Sequence, residues 1–98
     1  MGKAIALLEV QSLVAAVTGL DAMLKSADVR LVHIERRLGG RMVTVVVDGC
    51  VADVEEAARA GKAAAGEVGK VKLCEVIPNP HPEVCKFIYT DDISKEVR

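Results

Sequence analysis

The sequence predicts an α+β sandwich of the ferredoxin-like, split-βαβ kind: elements in the order β-α-β-β-α-β, then a short C-terminal helix. Three observations predict it. Four short apolar runs are rich in Val, Ile and Leu, as half-buried strands require. Two longer stretches, rich in alanine, carry apolar residues at helical spacing. Glycine and proline punctuate the chain between them. A chain of 98 residues is one domain with a modest core, so association with further copies is a natural supplement to its stability.

The elements follow in order. Lys3–Val10 (KAIALLEV) is a compact apolar run and reads as a strand. Ser12 stands where it caps the next element. Leu13–Ala27 carries Leu13, Val17, Leu20 and Leu24 on one stripe and reads as an amphipathic helix. Arg30–Arg37 (RLVHIERR) alternates, which puts Leu31 and His33 on one face and Val32 and Ile34 on the other. Gly39-Gly40 is the strongest turn signal. Met42–Val47 (MVTVVV) is the clearest strand, and Asp48-Gly49 closes it. Val51–Val68 reads as a second helix, in which Gly61 and Gly66 lower propensity but allow close approach, and Gly69 fits a C-cap. Lys70–Ile77 (KVKLCEVI) is a fourth strand. The prolines of Pro78-Asn79-Pro80-His81-Pro82 lack the ladder donor and end it. Pro82 suits the first turn of a short helix over Glu83–Ile88. Tyr89–Arg98 reads as a loose polar tail or a short added element, so the expected division is a domain over 1–90 and a tail over 91–98. Both helices are expected on one face of a sheet that contains antiparallel pairs.

Composition narrows the function. Thirteen basic and fourteen acidic residues leave a net charge of −1, which draws the chain neither to nucleic acid nor to an anionic membrane. No apolar run reaches the ~20 residues that span a bilayer, and the cytoplasm is the default location. Phe87 and Tyr89 are the two aromatic residues, so the aromatic anchors common at binding surfaces are scarce. Cys50, Cys74 and Cys85 form no CxxC pair and read as free thiols. Cys50 opens the second helix, where the helix dipole favours a thiolate. No nucleophile-plus-base pair is evident, so an enzyme is not expected. A small-molecule-binding regulator of ferredoxin-like fold is the alternative, although no phosphate-cradling glycine motif appears.

Four segments resemble the bacterial microcompartment (BMC) domain of single-domain hexameric shell proteins. Ala4–Val10 is similar to that family's opening strand. Leu20–Val29 (LDAMLKSADV) resembles its D-A-M-x-K helix end. Val43–Gly49 (VTVVVDG), with the Ala-rich helix after it, resembles V-T-V-x-V-x-G. Gly69–His81 (GKVKLCEVIPNPH) resembles G-x-V-x-x-x-x-V-I-P-R-P-H. The resemblance implies a permuted relative of the sandwich above, closed into a flat cyclic homo-hexamer with an axial pore. It implies edge-to-edge tiling with other shell proteins around encapsulated enzymes in the cytoplasm, and no cofactor.

Site residues follow from the same resemblance. Arg37, Leu38, Gly39, Gly40 and Arg41 match the pore loop, commonly K-I-G-S-G. The chain carries one extra residue between Glu35 and Met42, and Arg41 stands where glycine is usual. Six copies of such a loop leave room for little besides backbone. The glycine N–H groups then face the lumen and attract small anionic metabolites, joined by the arginines where these reach it. Lys25 matches the edge lysine that donates to carbonyls of an adjoining hexamer. Asn79 and His81 fall in the P-R-P-H edge motif, with Asn79 in place of its arginine. The change removes a five-donor planar fork and weakens the expected self-tiling. His33 stands where the family often has glycine. It reads as a partly buried histidine satisfied by a neighbour, or else as a contact near the pore.

Overall fold

A computed structural model describes residues 3–37, 39 and 41–89. The elements are β1 (Ala4–Val10), α1 (Leu13–Ser26), β2 (Arg30–Arg37), β3 (Met42–Gly49), α2 (Val51–Gly66), β4 (Val71–Ile77) and α3 (Pro82–Ile88). The strands form one sheet in the order β2-β3-β1-β4. Every neighbouring pair is antiparallel. The connectivity is that of the split-βαβ unit itself.

Alternation within each strand divides the sheet into two faces. Ala4, Ala6, Leu8 and Val10 of β1 and Val43, Val45 and Val47 of β3 point to one side. There they meet Ala15, Ala16 and Met23 of α1 and Val54, Ala57, Ala58 and Ala65 of α2. Small side chains let the two helices lie close together. A Cβ on Gly61 would fall 2.6 Å from Met23 Cγ, and one on Gly19 would fall 2.7 Å from Leu8 Cδ2 and 3.1 Å from Ala65 Cβ. Ser12 begins α1 as expected, its hydroxyl accepting from the Ala15 N–H at 2.9 Å.

The other face is covered at one end. Ile88 of α3 packs with Ile5, Val32 and Val46, and Leu7 borders the cluster. Pro82 occupies the first turn of α3, and His81 caps it by accepting the Glu83 N–H at Nδ1, 3.0 Å away.

Four expectations change. First, β2 does not alternate evenly. The register steps from Leu31↔Val47 to His33↔Val46, skipping Val32. This bulge puts two successive residues on one side. Leu31 and Ile34 therefore both pack toward the helices, while Val32 lies on the α3 face. His33, opposite Val46, lies with Val32. Second, Asp48 and Gly49 do not close β3 but belong to it, paired with Ile5 and Ala4. Third, the C-cap of α2 is Glu67, and Gly69 follows it, donating its N–H to the Ala65 carbonyl at 2.9 Å without a left-handed φ. Among the described glycines only Gly39 has a positive φ, 66°. Gly69 instead lets the chain pass the start of α1, where a Cβ would meet Ala15 Cβ at 3.1 Å. Fourth, Tyr89 is not loose, because its hydroxyl bonds to Asp48. Residues 90–98, which include the rest of the expected tail, lie outside the described residues.

Candidate functional site

The β2–β3 hairpin places the expected loop at one end of the sheet. Gly39 turns with φ 66°, a conformation that costs an L side chain about 1 kcal/mol or more. Arg37 holds Glu35 through Nη2 at 2.8 Å and Nε at 3.0 Å. That hydrogen bond keeps the Glu35 carboxyl below its ordinary range, against a smaller opposing effect of burial. Glu35 also reaches His33, with Oε1 3.5 Å from Nε2. The other ring nitrogen, Nδ1, is buried without a hydrogen-bond partner among the described residues. A row His33–Glu35–Arg37 thus runs along the α3 face of β2 toward the turn. Arg41 follows the turn and is exposed. Leu38 and Gly40 lie outside the described residues.

The expected edge residues lie at the other end. β1 runs antiparallel to β3 and β4, with Val10 beside Val43 and Ile5 beside Asp48 and Ile77. The chain leaving Ile77 for Asn79 and His81 therefore emerges at the end remote from the hairpin tip. Helix α1 leaves the Val10 end and returns, so Lys25 also comes to the remote end. Eight-residue strands at ~3.3 Å per residue separate the two ends by roughly 23 Å. Lys25 is exposed and pairs with Asp21 at 3.0 Å, one helical turn back. The structure thus brings Lys25, Asn79 and His81 to one end and the hairpin residues to the other.

The remote end also holds a charged cluster that the sequence reading missed. Asp48 is 1% exposed. Arg30 binds it through Nε at 3.1 Å and Nη2 at 3.2 Å, and Tyr89 donates to it at 2.6 Å. Burial pushes the Asp48 carboxyl up, but the hydrogen bonds from Arg30 and Tyr89 and the Arg30 charge outweigh it, and the net direction is down. Burial and the Asp48 bond push the Tyr89 phenol well above its usual value. The one available signal was an aspartate at the end of an otherwise β-branched strand. Its partners lie in β2 and beyond α3, where no spacing rule reaches.

The three thiols are free. Cys50 sits before α2 but makes no cap bond; its S–H donates to Asp53 Oδ2 at 2.9 Å. Among the described residues no three His, Cys, Asp or Glu side chains gather as a metal site, and no helix is long and apolar enough to cross a membrane.

Known proteins resemble this chain over most of its length. The BMC domain family is matched over residues 4–80. The bacterial microcompartment shell protein PduA of Citrobacter freundii is 46% identical over 86 residues, 88% of this chain and 91% of that protein. The shell protein EutM of Escherichia coli K12 is 39% identical over 82 residues, 84% of each. The carboxysome shell protein CsoS1 of Prochlorococcus marinus is 42% identical over 85 residues, 86% of this chain and 82% of that protein. A crystal structure of a microcompartment protein from Desulfitobacterium hafniense superposes with a TM-score of 0.78 at 34% identity. It covers 91% of this chain, which spans about half (48%) of that longer one. The three sequence relatives are shell proteins by name. The chain belongs to the BMC domain family.

Proposed function

We propose that this chain is a shell tile that closes into cyclic homo-hexamers, packs edge to edge with other shell proteins around encapsulated enzymes, and passes small metabolites through a central pore. The observation that carries the reading is the separation of the two residue groups along one sheet. A wedge-shaped subunit of a ring needs a narrow inner end with little side-chain bulk and an outer end that meets neighbours. The hairpin with Gly39 suits the first, and the end bearing Lys25, Asn79 and His81 suits the second.

Exposed apolar residues support association. Leu13, Val14, Val17 and Leu24 of α1 and Phe87 of α3 are all more than 40% exposed in the single chain. In the ring, residues 37–41 surround the axis. Glu35 offsets the charge Arg37 brings, so selection for small anions rests mainly on loop amides repeated six times. At the rim, Lys25 exchanges Asp21 for carbonyls of the adjoining tile. Asn79 makes a weaker contact there than an arginine would. Light scattering coupled to size exclusion should give six times 10.4 kDa. A stable monomer or trimer overturns the ring. Electron microscopy should then find sheets or tubes of the same protein.

A further inference from the structure

A second feature of the rim has the chemistry of a binding site. A pocket of about 850 Å³ opens between α3, the Asn79–Pro82 segment and the ends of β2 and β3. Its lining includes three cations, Lys3, Arg30 and Lys86, and one carboxylate, Asp48. This is a local excess of positive charge in a chain whose net charge is −1. The carboxylate is already occupied by Arg30 and Tyr89.

Arg30 is the organising group. Its side chain is 67% exposed, yet its fork is held at two nitrogens by a carboxylate that is itself buried. Two of its five N–H groups serve Asp48, and the free edge of the guanidinium remains for a planar oxyanion. A fork fixed beforehand loses less freedom on binding than a mobile one. His81 adds a donor. Its Nδ1 accepts the Glu83 N–H, so the ring proton sits on Nε2. Lys86 is shared with Glu83, which lies 3.5 Å away and tempers its charge. Pro80, Pro82 and Tyr89 give the pocket apolar walls.

The geometry points to a rim site for an oxyanion, a carboxylate carried on a short apolar body, held by the free edge of Arg30 with Lys3, Lys86 and His81 around it. One chain builds the whole site, so it does not depend on ring closure. The same chemistry has two sources: a dissolved organic acid, or a side-chain carboxylate of an adjoining tile.

Tyr89 is a built-in reporter, since the chain has one tyrosine and no tryptophan. Titrating the assembled protein with succinate, up to about 20 mM, should change tyrosine fluorescence saturably, with butane-1,4-diol inert. R30Q should weaken the response about tenfold, because it removes a charge-assisted fork. R30Q leaves Asp48 buried without its cation and is expected to fold less well. Lys3→Gln and Lys86→Gln leave that pair intact, and each should weaken binding about threefold at unchanged melting temperature. A linear response, or one that diol reproduces, or equal affinity in Lys3→Gln, Lys86→Gln and wild type, overturns the site. Microscopy with saturating succinate separates the sources. Dissolving sheets identify the adjoining tile's carboxylate as the occupant, and intact sheets identify a dissolved acid. A protein that stays monomeric yet binds succinate refutes the ring and leaves the site standing.

Discussion

Tyr89 and Asp48, 41 positions apart in the chain, meet at 2.6 Å, the phenol donating to a carboxylate that is almost wholly buried. With Ile88 on the sheet, this bond ties α3 to the end of β3. Tyr89→Phe keeps the ring and removes only the donor. It should destabilise the fold by about 1.5 kcal/mol, the lower part of the range for a bond to a charged group because the ring is half exposed. Urea unfolding at one fixed protein concentration measures it, since assembly makes stability depend on concentration. An unchanged midpoint means the bond contributes nothing in solution.

The same pair sets two pH dependences of opposite sense. The folded Asp48 pKa lies below its unfolded value. Its stabilisation is therefore complete above the ordinary aspartate range, about pH 4, and is lost as pH falls through the folded value. Asp48→Asn should flatten the acid side of the stability curve. The Tyr89 pKa is raised. The neutral phenol is favoured in the folded chain, and that contribution is present below about pH 10 and fades only as pH climbs through the folded value. Absorbance at the tyrosinate band should thus show no step near pH 10 in folded protein, and an ordinary step in urea.

Three helical glycines should part company. Gly19→Ala and Gly61→Ala force a Cβ into the α1–α2 contact, against Leu8 and Ala65 or against buried Met23. Each should cost about 1–2 kcal/mol despite the gain in helix propensity. Gly66→Ala meets nothing nearer than Val71 Cγ2 at 3.9 Å. It should be neutral or stabilising by up to about 1 kcal/mol. Thermal melts of the three variants decide whether packing or propensity governs these helix positions in α1 and α2.

Lys25→Ala should separate folding from tiling. The Lys25–Asp21 pair is exposed, and its loss should change stability by less than about 0.5 kcal/mol. Hexamers should persist in light scattering while sheets vanish from micrographs. Sheets indistinguishable from wild type would remove Lys25 from the edge.

Much of this architecture was legible from local rules. The run Met42–Val47, the cap at Ser12 and the proline at the first turn of α3 each appear where short-range chemistry puts them. The hairpin turn at Gly39 was legible for the same reason, and its left-handed φ is what glycine permits. Local rules failed where the determinant was distant. Asp48 looked like the polar end of a strand, because its partners Arg30 and Tyr89 are far away in sequence. The pocket beside them was invisible for the same reason. Gly61 and Gly66 looked equivalent until α1 was placed against one of them. The bulge at Val32 was hidden because both faces of β2 accept apolar residues there, so the pattern around it fits either phase.

That skipped position shifts the alternation of β2 by a single unpaired step, much as a reading frame is shifted by one insertion. Shortening the strand by Val32 would restore an unbroken ladder and keep every pairing beyond it, with His33 still opposite Val46 and Ile34 still opposite Val45. What is lost is Val32 itself from its cluster with Ile5, Val46 and Ile88, so the deletion should cost about as much as one buried valine and not the register of the whole strand.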